Sequence, residues 1–394
     1  MGPVPPGCQG QSLNHRGHRG TRGKNLSPLR TRRAHEGEAG RRRVLTRDDL
    51  DLSIVVLVIL LMAGCGGTAG NSSGGSGGNG SPVISSYKLT GNTTPVRDPS
   101  LFRLGNTYYV FSTDPGAVGI GSITIRCSSD RIHWSACGYV FRQIPAWVVA
   151  QVPGVVGLWA PDISYFNGLY HVYYAGSTFG SNTSVIGLAT NTTLDPADPN
   201  YKWVDQGLVL QSTSADDFNA IDPTILVDAD GSVWLTYGSY WTGIKQRQID
   251  PASGMLLASN ASVYALASRP GVQYDPIEGS SLVHKGSYYY LFVSMDFCCM
   301  PNPYQDNYKI AVGRGTGPHG PFLDQNGVNM MNGGGTILLE GNGTTWNAPG
   351  GETVYLDDQQ GDMITFHALS LPSGAAYLFV NSLSWNSGWP QMGP

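Results

Sequence analysis

The sequence predicts an all-β protein and, more narrowly, a five-bladed β-propeller. Three observations lead to this prediction. Only 13% of the 394 residues are charged, against a usual share of about 25%, while 53 are Gly and 10% are aromatic, which is typical of short strands joined by tight turns. A two-strand unit recurs five times. After residue 62, no segment sustains the 3.6-residue apolar period of a helix.

The amino-terminal part of the chain predicts no fold. Residues 1–50 carry eleven Lys/Arg and four Asp/Glu among many Gly and Pro, and they show no apolar period. Such a composition cannot bury enough surface to offset the entropy that is lost on ordering. We interpret residues 1–53 as a disordered extension or as the product of a wrongly assigned start codon.

An export signal follows the extension. Residues 54–62 form an apolar run, which is too short to span a bilayer and is followed by Ala63-Gly64-Cys65. Residues 54–65 resemble a bacterial lipoprotein signal, in which Cys65 would carry the lipid anchor, and the alternative is an ordinary secretory signal. Both predict an exported protein, either secreted or anchored at the membrane in the periplasm or on the cell surface. The Gly/Ser-rich residues 66–82 predict a flexible linker.

The charge balance of the body restricts the class of ligand. Beyond residue 50 the chain holds 13 basic and 24 acidic side chains, so this part is acidic although the net charge of the whole chain is only −4. An acidic body is a poor partner for nucleic acid or anionic lipid. We therefore expect a neutral ligand and no nucleic-acid partner.

The repeated unit accounts for residues 83–394 as one propeller domain. Each copy starts with an acid and continues as a hairpin, and the copies are 64, 60, 56 and 74 residues apart. Between copies there is room for two more strands, which makes four strands per blade. Because the first strand of each blade lines the central channel, we expect the acids at five equivalent positions in one funnel, although they could instead cap turns between blades. The acids are Asp98, Asp162, Asp222, Glu278 and Glu352.

Clustered acids favour glycoside hydrolysis. Carboxylates that are crowded together repel one another, so one holds its proton while another stays ionised, which supplies an acid and a base. Aromatic residues close to the acids in sequence offer faces for sugar rings. They are Trp159, Tyr240, Trp241 and Trp346. Calcium binding by the acids is an alternative, but the copies are too far apart for a compact calcium loop.

Several stretches together resemble glycoside hydrolase family 43, and within it the arabinan endo-1,5-α-L-arabinosidases. The resemblance covers about residues 85–390. The matching stretches include Arg97-Asp98-Pro-Ser, Leu158-Trp-Ala-Pro-Asp162, Asn219-Ala-Ile-Asp222-Pro, Tyr237-Gly-Ser-Tyr-Trp241, Glu278-Gly and Phe297-Cys-Cys299.

The resemblance implies an inverting hydrolase of internal α-1,5 bonds in arabinan, with arabinan or an arabino-oligosaccharide as the partner. We expect the chain to be a monomer. The same resemblance implies that Asp98 is the general base, Glu278 the general acid, and Asp222 the residue that orients the acid and tunes its pKa. An inverting enzyme should hold Asp98 and Glu278 roughly 6.5–9.5 Å apart. The resemblance also implies that His367 helps to hold a Ca²⁺ ion on the propeller axis. The implied substrate contacts are Asp98, Trp159, Asp162, Gly180, Asn219, Ala220, Ile221, Asp222, Ser239, Tyr240 and Trp241.

The sequence departs from the family pattern in two places. The fifth blade starts with Ala348-Pro-Gly-Gly-Glu352 where the family usually has Gly-Pro-Gly-His-Asn, and Arg97 stands where a histidine is commoner. The alternatives are an exo-acting α-L-arabinofuranosidase or β-xylosidase, a retaining fructan-active enzyme, and a non-catalytic sugar-binding propeller. The pairs Cys127/Cys137 and Cys298/Cys299 are candidate disulfides that the sequence leaves open.

Overall fold

A computed structural model describes most of the predicted propeller domain. The described residues are 82–84, 86–113, 122–300, 302–371 and 373–393. The predictions for the extension, the export signal, Cys65 and nearly all of the linker fall outside these residues. Among the residues that are described, no helix is long and apolar enough to cross a membrane.

The described chain forms five sheets, each built around four consecutive antiparallel strands, which confirms the five-bladed propeller. The strands are β1 (Thr90–Gly91) and β2–β5 (Arg97–Leu104, Thr107–Thr113, Ser122–Ser128, His133–Phe141) in blade I; β6–β9 (Leu158–Phe166, Leu169–Gly176, Ser184–Asn191, Val204–Ser212) in blade II; β10–β13 (Thr224–Val227, Val233–Tyr237, Ile244–Ile249, Tyr264–Ala267) in blade III; β14–β17 (Ile277–Lys285, Tyr288–Met295, Lys309–Gly315, Thr336–Glu340) in blade IV; and β18–β21 (Trp346–Tyr355, Met363–Ser370, Ala376–Asn386, Trp389–Met392) in blade V. Helix α1 (Ala146–Gln151) and a 3₁₀ turn (Met330–Asn332) lie between strands.

Local sequence explains the hairpins. Asn167 and Gly168 join β6 to β7 and have φ angles of 48° and 77°. A two-residue turn of this kind needs positive φ at both central positions, which Gly adopts freely and Asn tolerates. The turn therefore forms where the alternating pattern of the repeat is interrupted by Asn-Gly.

Packing between blades supplies the core. The inner strands β2, β6, β10, β14 and β18 lie side by side in a closed ring around the axis. Each pair of neighbouring blades encloses one cluster of buried apolar side chains. Representative members, each almost completely buried, are Phe111 (blades I–II), Leu235 (II–III), Leu291 (III–IV), Phe366 (IV–V) and Val110 (V–I).

The segment ahead of β2 closes the ring. Pro82 O accepts a hydrogen bond from Glu340 N in the outer strand of blade IV at 3.0 Å. The ring of Tyr87 then packs on Trp346 of blade V, and β1 pairs in parallel with β5 of blade I. This segment thus contacts three blades, which the sequence patterns did not predict.

Candidate active site

A backbone irregularity at the start of each inner strand positions the site. The ladder between the first two strands shifts register there in blades I, II, IV and V. Five equivalent residues adopt positive φ, which is strained for residues other than Gly and re-aims the neighbouring side chains. They are Asp98, Ala160, Asp222, Gly279 and Gly351, with φ between 43° and 59°.

The expectation of five equivalent acids is therefore wrong. Asp98 and Asp222 share the positive-φ position, but Glu278 comes one residue before it and Glu352 one residue after it. Asp162 comes two residues after it, on the regular part of β6. The positive-φ position is thus acidic only in blades I and III, and the irregular backbone around this position decides where the other three acids point.

Three of the acids face one cavity of about 410 Å³ at the end of the channel where the inner strands begin. Asp98 of blade I, Asp222 of blade III and Glu278 of blade IV all line it. Further predicted residues that line it are Trp159, Gly180, Asn219, Ile221, Ser239, Tyr240, Trp241 and His367. We call this space the catalytic cavity.

Two predicted substrate contacts do not line the catalytic cavity. Asp162 is buried on the axis, where it accepts hydrogen bonds from Ser100 Oγ at 3.0 Å and from Ile225 N at 2.9 Å. It thereby joins blades I, II and III. Ala220 is fully buried behind Asn219, and its backbone N donates to Ser212 Oγ at 2.9 Å. Both positions correct the sequence prediction, since neither side chain can reach a ligand in this cavity.

Asp98 lies between a hydroxyl and a cation. Thr113 Oγ1 donates to Asp98 Oδ2 at 2.6 Å, and the backbone N of Asp98 donates to His367 Nδ1 at 3.2 Å. Burial raises the pKa of Asp98, while the Thr113 hydroxyl and the charge of Arg97 act to lower it. These two neighbours favour the ionised form that a base requires.

Glu278 lies between two hydroxyls. Ser239 Oγ donates to Glu278 Oε2 and Tyr308 OH donates to Glu278 Oε1. Burial raises the pKa of Glu278, and the negative charge of Asp98 raises it further, while the two hydroxyls act in the opposite direction. The charge of Asp98 thus opposes ionisation of Glu278, as the role of an acid requires.

Asp222 connects to the residue after Glu278. Its Oδ2 accepts a hydrogen bond from Gly279 N at 3.1 Å. Burial raises the pKa of Asp222 well above its usual value, and the charges of Glu278 and Asp98 raise it further. The three carboxyls cannot all be ionised together at low cost, so the charge on one sets the pKa of the others.

Tyr308 and the disulfide of Cys298 and Cys299 also line the catalytic cavity, which no sequence pattern indicated. Tyr308 is one of 20 tyrosines and no motif marks it, so only the fold shows that its hydroxyl meets Glu278. Cys298 and Cys299 are joined in a disulfide that lines the catalytic cavity, and Cys298 Sγ lies 3.8 Å from Glu278 Oε1. The second candidate pair, Cys127 and Cys137, is also joined and connects β4 to β5.

His367 offers limited support for a calcium ion. It is 2% exposed, and its Nε2 atom has no hydrogen-bond partner among the described residues. Ca²⁺ takes six to eight ligands and prefers oxygen. The described part of the chain contains no group of three or more His, Cys, Asp or Glu residues that could hold a metal. His367 Nε2 could thus be one ligand of a calcium ion, and water molecules would have to supply most of the other ligands.

The fold and the catalytic cavity define the class of the protein. A propeller whose axis ends in an aromatic-walled cavity with three partly buried carboxyls has the groups needed for acid–base cleavage of a glycosidic bond. The family model described as Glycosyl hydrolases family 43 matches residues 92–390. The chain belongs to this family, and it is a glycoside hydrolase.

Relatives and a solved structure agree with this assignment. The chain is 38% identical over 297 residues to an extracellular endo-α-(1→5)-L-arabinanase of Bacillus subtilis, covering 75% of this chain and 87% of the relative. It is also 38% identical over 310 residues to an extracellular exo-α-(1→5)-L-arabinofuranosidase of Cellvibrio japonicus, covering 75% and 86%. The structure of a Cellvibrio cellulosa α-L-arabinanase complexed with arabinohexaose matches with a TM-score of 0.70 at 36% identity, covering 77% of this chain and 96% of that chain.

Proposed function

We propose that the protein hydrolyses internal α-1,5-L-arabinofuranosidic bonds of arabinan with inversion of configuration. The observation that carries this proposal is that Asp98 and Glu278 line one cavity in two different electrostatic environments. The relatives support arabinan as the substrate, since two of them are named for α-1,5-arabinan chemistry and a third holds arabinohexaose.

In the proposed mechanism Asp98 is the base and Glu278 is the acid. Asp98 removes a proton from a water molecule, which attacks the anomeric carbon from the side opposite to the leaving sugar. Glu278 donates its proton to the glycosidic oxygen as the bond breaks. The products are two shorter chains, and the new anomeric centre has the inverted configuration.

Asp222 acts on Glu278 rather than on the substrate bond. Its contact with Gly279 N fixes the backbone next to the acid, and its charge opposes ionisation of Glu278. Ser239 and Tyr308 fix the direction of the Glu278 carboxyl. Thus the acid is oriented through blades III and IV, while the base is oriented through Thr113 in blade I.

Endo action is the form of the proposal that we favour. Val156 and Phe179 at the rim of the catalytic cavity are 79% and 54% exposed, which leaves apolar surface for sugar units beyond the one that is cleaved. Exo action is the second candidate, because one relative is named as an exo-acting enzyme.

We also propose that the protein is exported, since two relatives are named as extracellular. Anchoring through a lipid on Cys65 and a calcium ion attached at His367 are further parts of the proposal. Metabolic labelling with palmitate tests the anchor, because Cys65→Ser should abolish the label. An unlabelled wild-type protein in the culture medium would favour an ordinary secretory signal.

Product analysis on linear α-1,5-arabinan tests the proposed activity. The wild type should release a ladder of oligosaccharides, and NMR of the first products should show the inverted anomer. Asp98→Ala should release nothing. Arabinose as the sole early product would favour exo action, and a retained anomer would refute the roles of Asp98 and Glu278.

A further inference from the structure

A second cavity opens at the opposite end of the propeller axis. Its volume is about 440 Å³, and it is lined by the carboxy-terminal halves of the five inner strands. We call it the distal cavity. A narrow space of about 20 Å³, lined by Asp222, Ser280 and Glu352 among others, lies between the two cavities. This space holds about one water molecule, so a sugar in the distal cavity cannot have come through from the catalytic cavity.

Two hydroxyls in the wall of the distal cavity lack partners. Ser164 and Thr224 are 8% and 9% exposed, and neither Ser164 Oγ nor Thr224 Oγ1 has a hydrogen-bond partner among the described residues. Buried hydroxyls are nearly always satisfied, by the protein, by water or by a ligand. A ligand that carries hydroxyl groups would satisfy both.

The carboxylate oxygens in the wall already accept hydrogen bonds from within the fold, which indicates a neutral ligand. Both oxygens of Asp162 accept hydrogen bonds, from Ser100 and from Ile225 N. Asp228 Oδ1 is 2.7 Å from His284 Nδ1, and Asp228 Oδ2 accepts a hydrogen bond from Tyr289 at 2.6 Å. Among the described lining residues, no lysine or arginine is available for a phosphate or a carboxylate.

The mouth of the distal cavity carries fixed aromatic rings. Tyr165 lines it and is 48% exposed, and its ring centroid lies 4.7 Å from that of Tyr170. Phe102 packs edge-on against both Tyr170 and Tyr355. Held rings lose little entropy when a ligand stacks on them, and sugar rings stack on exposed aromatic faces.

From these features we infer that the distal cavity is a second, non-catalytic carbohydrate site that binds a neutral pentose ring. Tyr165 stacks on the sugar, and Ser164 and Thr224 hydrogen-bond to its hydroxyl groups. The identity of the sugar as arabinose rests on the proposed function. The site would hold a polysaccharide chain near the enzyme without taking part in cleavage.

Calorimetric titration of the full chain carrying Asp98→Ala tests this inference, with α-1,5-arabinotriose and xylotriose as probes. Because Asp98→Ala prevents cleavage, we expect two binding sites per chain for at least one probe. Adding Tyr165→Ala should remove one of them. Adding Thr224→Val should weaken the same site about three- to tenfold, the loss that one hydrogen bond produces, and leave the other unchanged. The matched control is Tyr304→Ala, since Tyr304 is 57% exposed and lines neither cavity.

A single site for both probes, or two sites that Tyr165→Ala and Thr224→Val leave intact, would overturn the inference. Thr224→Val keeps the shape of the residue, so it remains informative if Tyr165→Ala does not fold. Thermal melting of each variant checks folding. These titrations do not depend on turnover: a wild type that fails to cleave arabinan refutes the proposed function, whereas the distal site is judged by binding alone.

Discussion

The two ends of the propeller axis are built from the same five strands but differ in chemistry. Their cavities are similar in volume, about 410 and 440 Å³. At the catalytic end, positive-φ residues turn Asp98 and Asp222 into the cavity, and burial raises their pKa values. At the distal end the strands are regular, and burial raises the pKa of Asp162 to about 7 there as well, but both oxygens of Asp162 and of Asp228 have partners within the fold. A raised pKa is therefore common to both ends, and the backbone irregularity is what brings several carboxyls together in one cavity.

The largest difference should appear when one carboxyl at each end becomes an amide. Glu278→Gln should lower kcat on arabinan by about 10²- to 10⁴-fold because an amide has no proton to transfer. Asp162→Asn should change kcat less than threefold but lower the melting temperature, because one of its two buried contacts is lost. Steady-state kinetics and calorimetry on both variants check this. Equal losses of activity in the two variants would contradict the comparison.

The next effect concerns the pH profile at the catalytic end. In the wild type the Thr113 hydroxyl donates to Asp98 and thereby lowers the pKa of Asp98, and Thr113→Val removes this hydroxyl. The pKa of Asp98 should then rise, so the acidic limb of kcat/KM should move to higher pH. Asp222→Asn removes a carboxyl that repels the charge of Glu278, so the pKa of Glu278 should fall and the basic limb should move to lower pH. The profiles of both variants, measured against the wild type, test the two signs. An unaltered acidic limb in Thr113→Val would exclude Asp98 as the base.

A third effect concerns the narrow space between the cavities. Glu352 is 1% exposed, and burial raises its pKa to about 8. A carboxyl whose pKa is raised in the folded state stabilises the fold below its unfolded pKa of about 4.5, and this contribution is lost as the pH rises towards 8. Glu352→Gln keeps the contact with Ser294 but has no carboxyl that titrates. Between pH 5 and pH 8 its free energy of unfolding should therefore fall less than that of the wild type, by on the order of 2 kcal/mol. Denaturant unfolding at both pH values measures this, and parallel losses in the two proteins would refute it.

The smallest effect tests whether a metal distinguishes the two ends. If His367 holds a calcium ion, EDTA should lower the melting temperature of the wild type by a few degrees, which corresponds to about 1 kcal/mol for a domain of this size. His367→Ala should not respond to EDTA, and added Ca²⁺ should restore only the wild type. An identical response of both proteins would remove His367 from the metal proposal.

Much of the fold could be predicted, because its signals are local. The five hairpins follow from alternating residues and from turns such as Asn167-Gly168, which the structure confirms. The closing segment ahead of β2 was not predicted, since two of its three contacts join residues more than 250 positions apart, as in Pro82 with Glu340. No local pattern specifies such a pairing.

The candidate site was predicted in part. The resemblance to the family identified Asp98, Asp222 and Glu278, and all three line the catalytic cavity. It could not identify Tyr308, whose hydroxyl meets Glu278 from a strand boundary 30 residues later. The repeat also suggested five equivalent acids. This was wrong because matching the five copies by residue type does not show which residue of each copy has the positive φ.

The sequence by itself determined the fold class, the number of blades and the three carboxyls of the catalytic cavity, because composition, turn residues and motifs act over short stretches of chain. Only the tertiary structure decided that Asp162 and Ala220 lie outside the catalytic cavity, that Tyr308 and the Cys298–Cys299 disulfide stand beside Glu278, and that a second cavity opens at the distal end. The physical reason is that these features depend on the one-residue register of the inner strands and on contacts between blades, both of which arise when the ring closes.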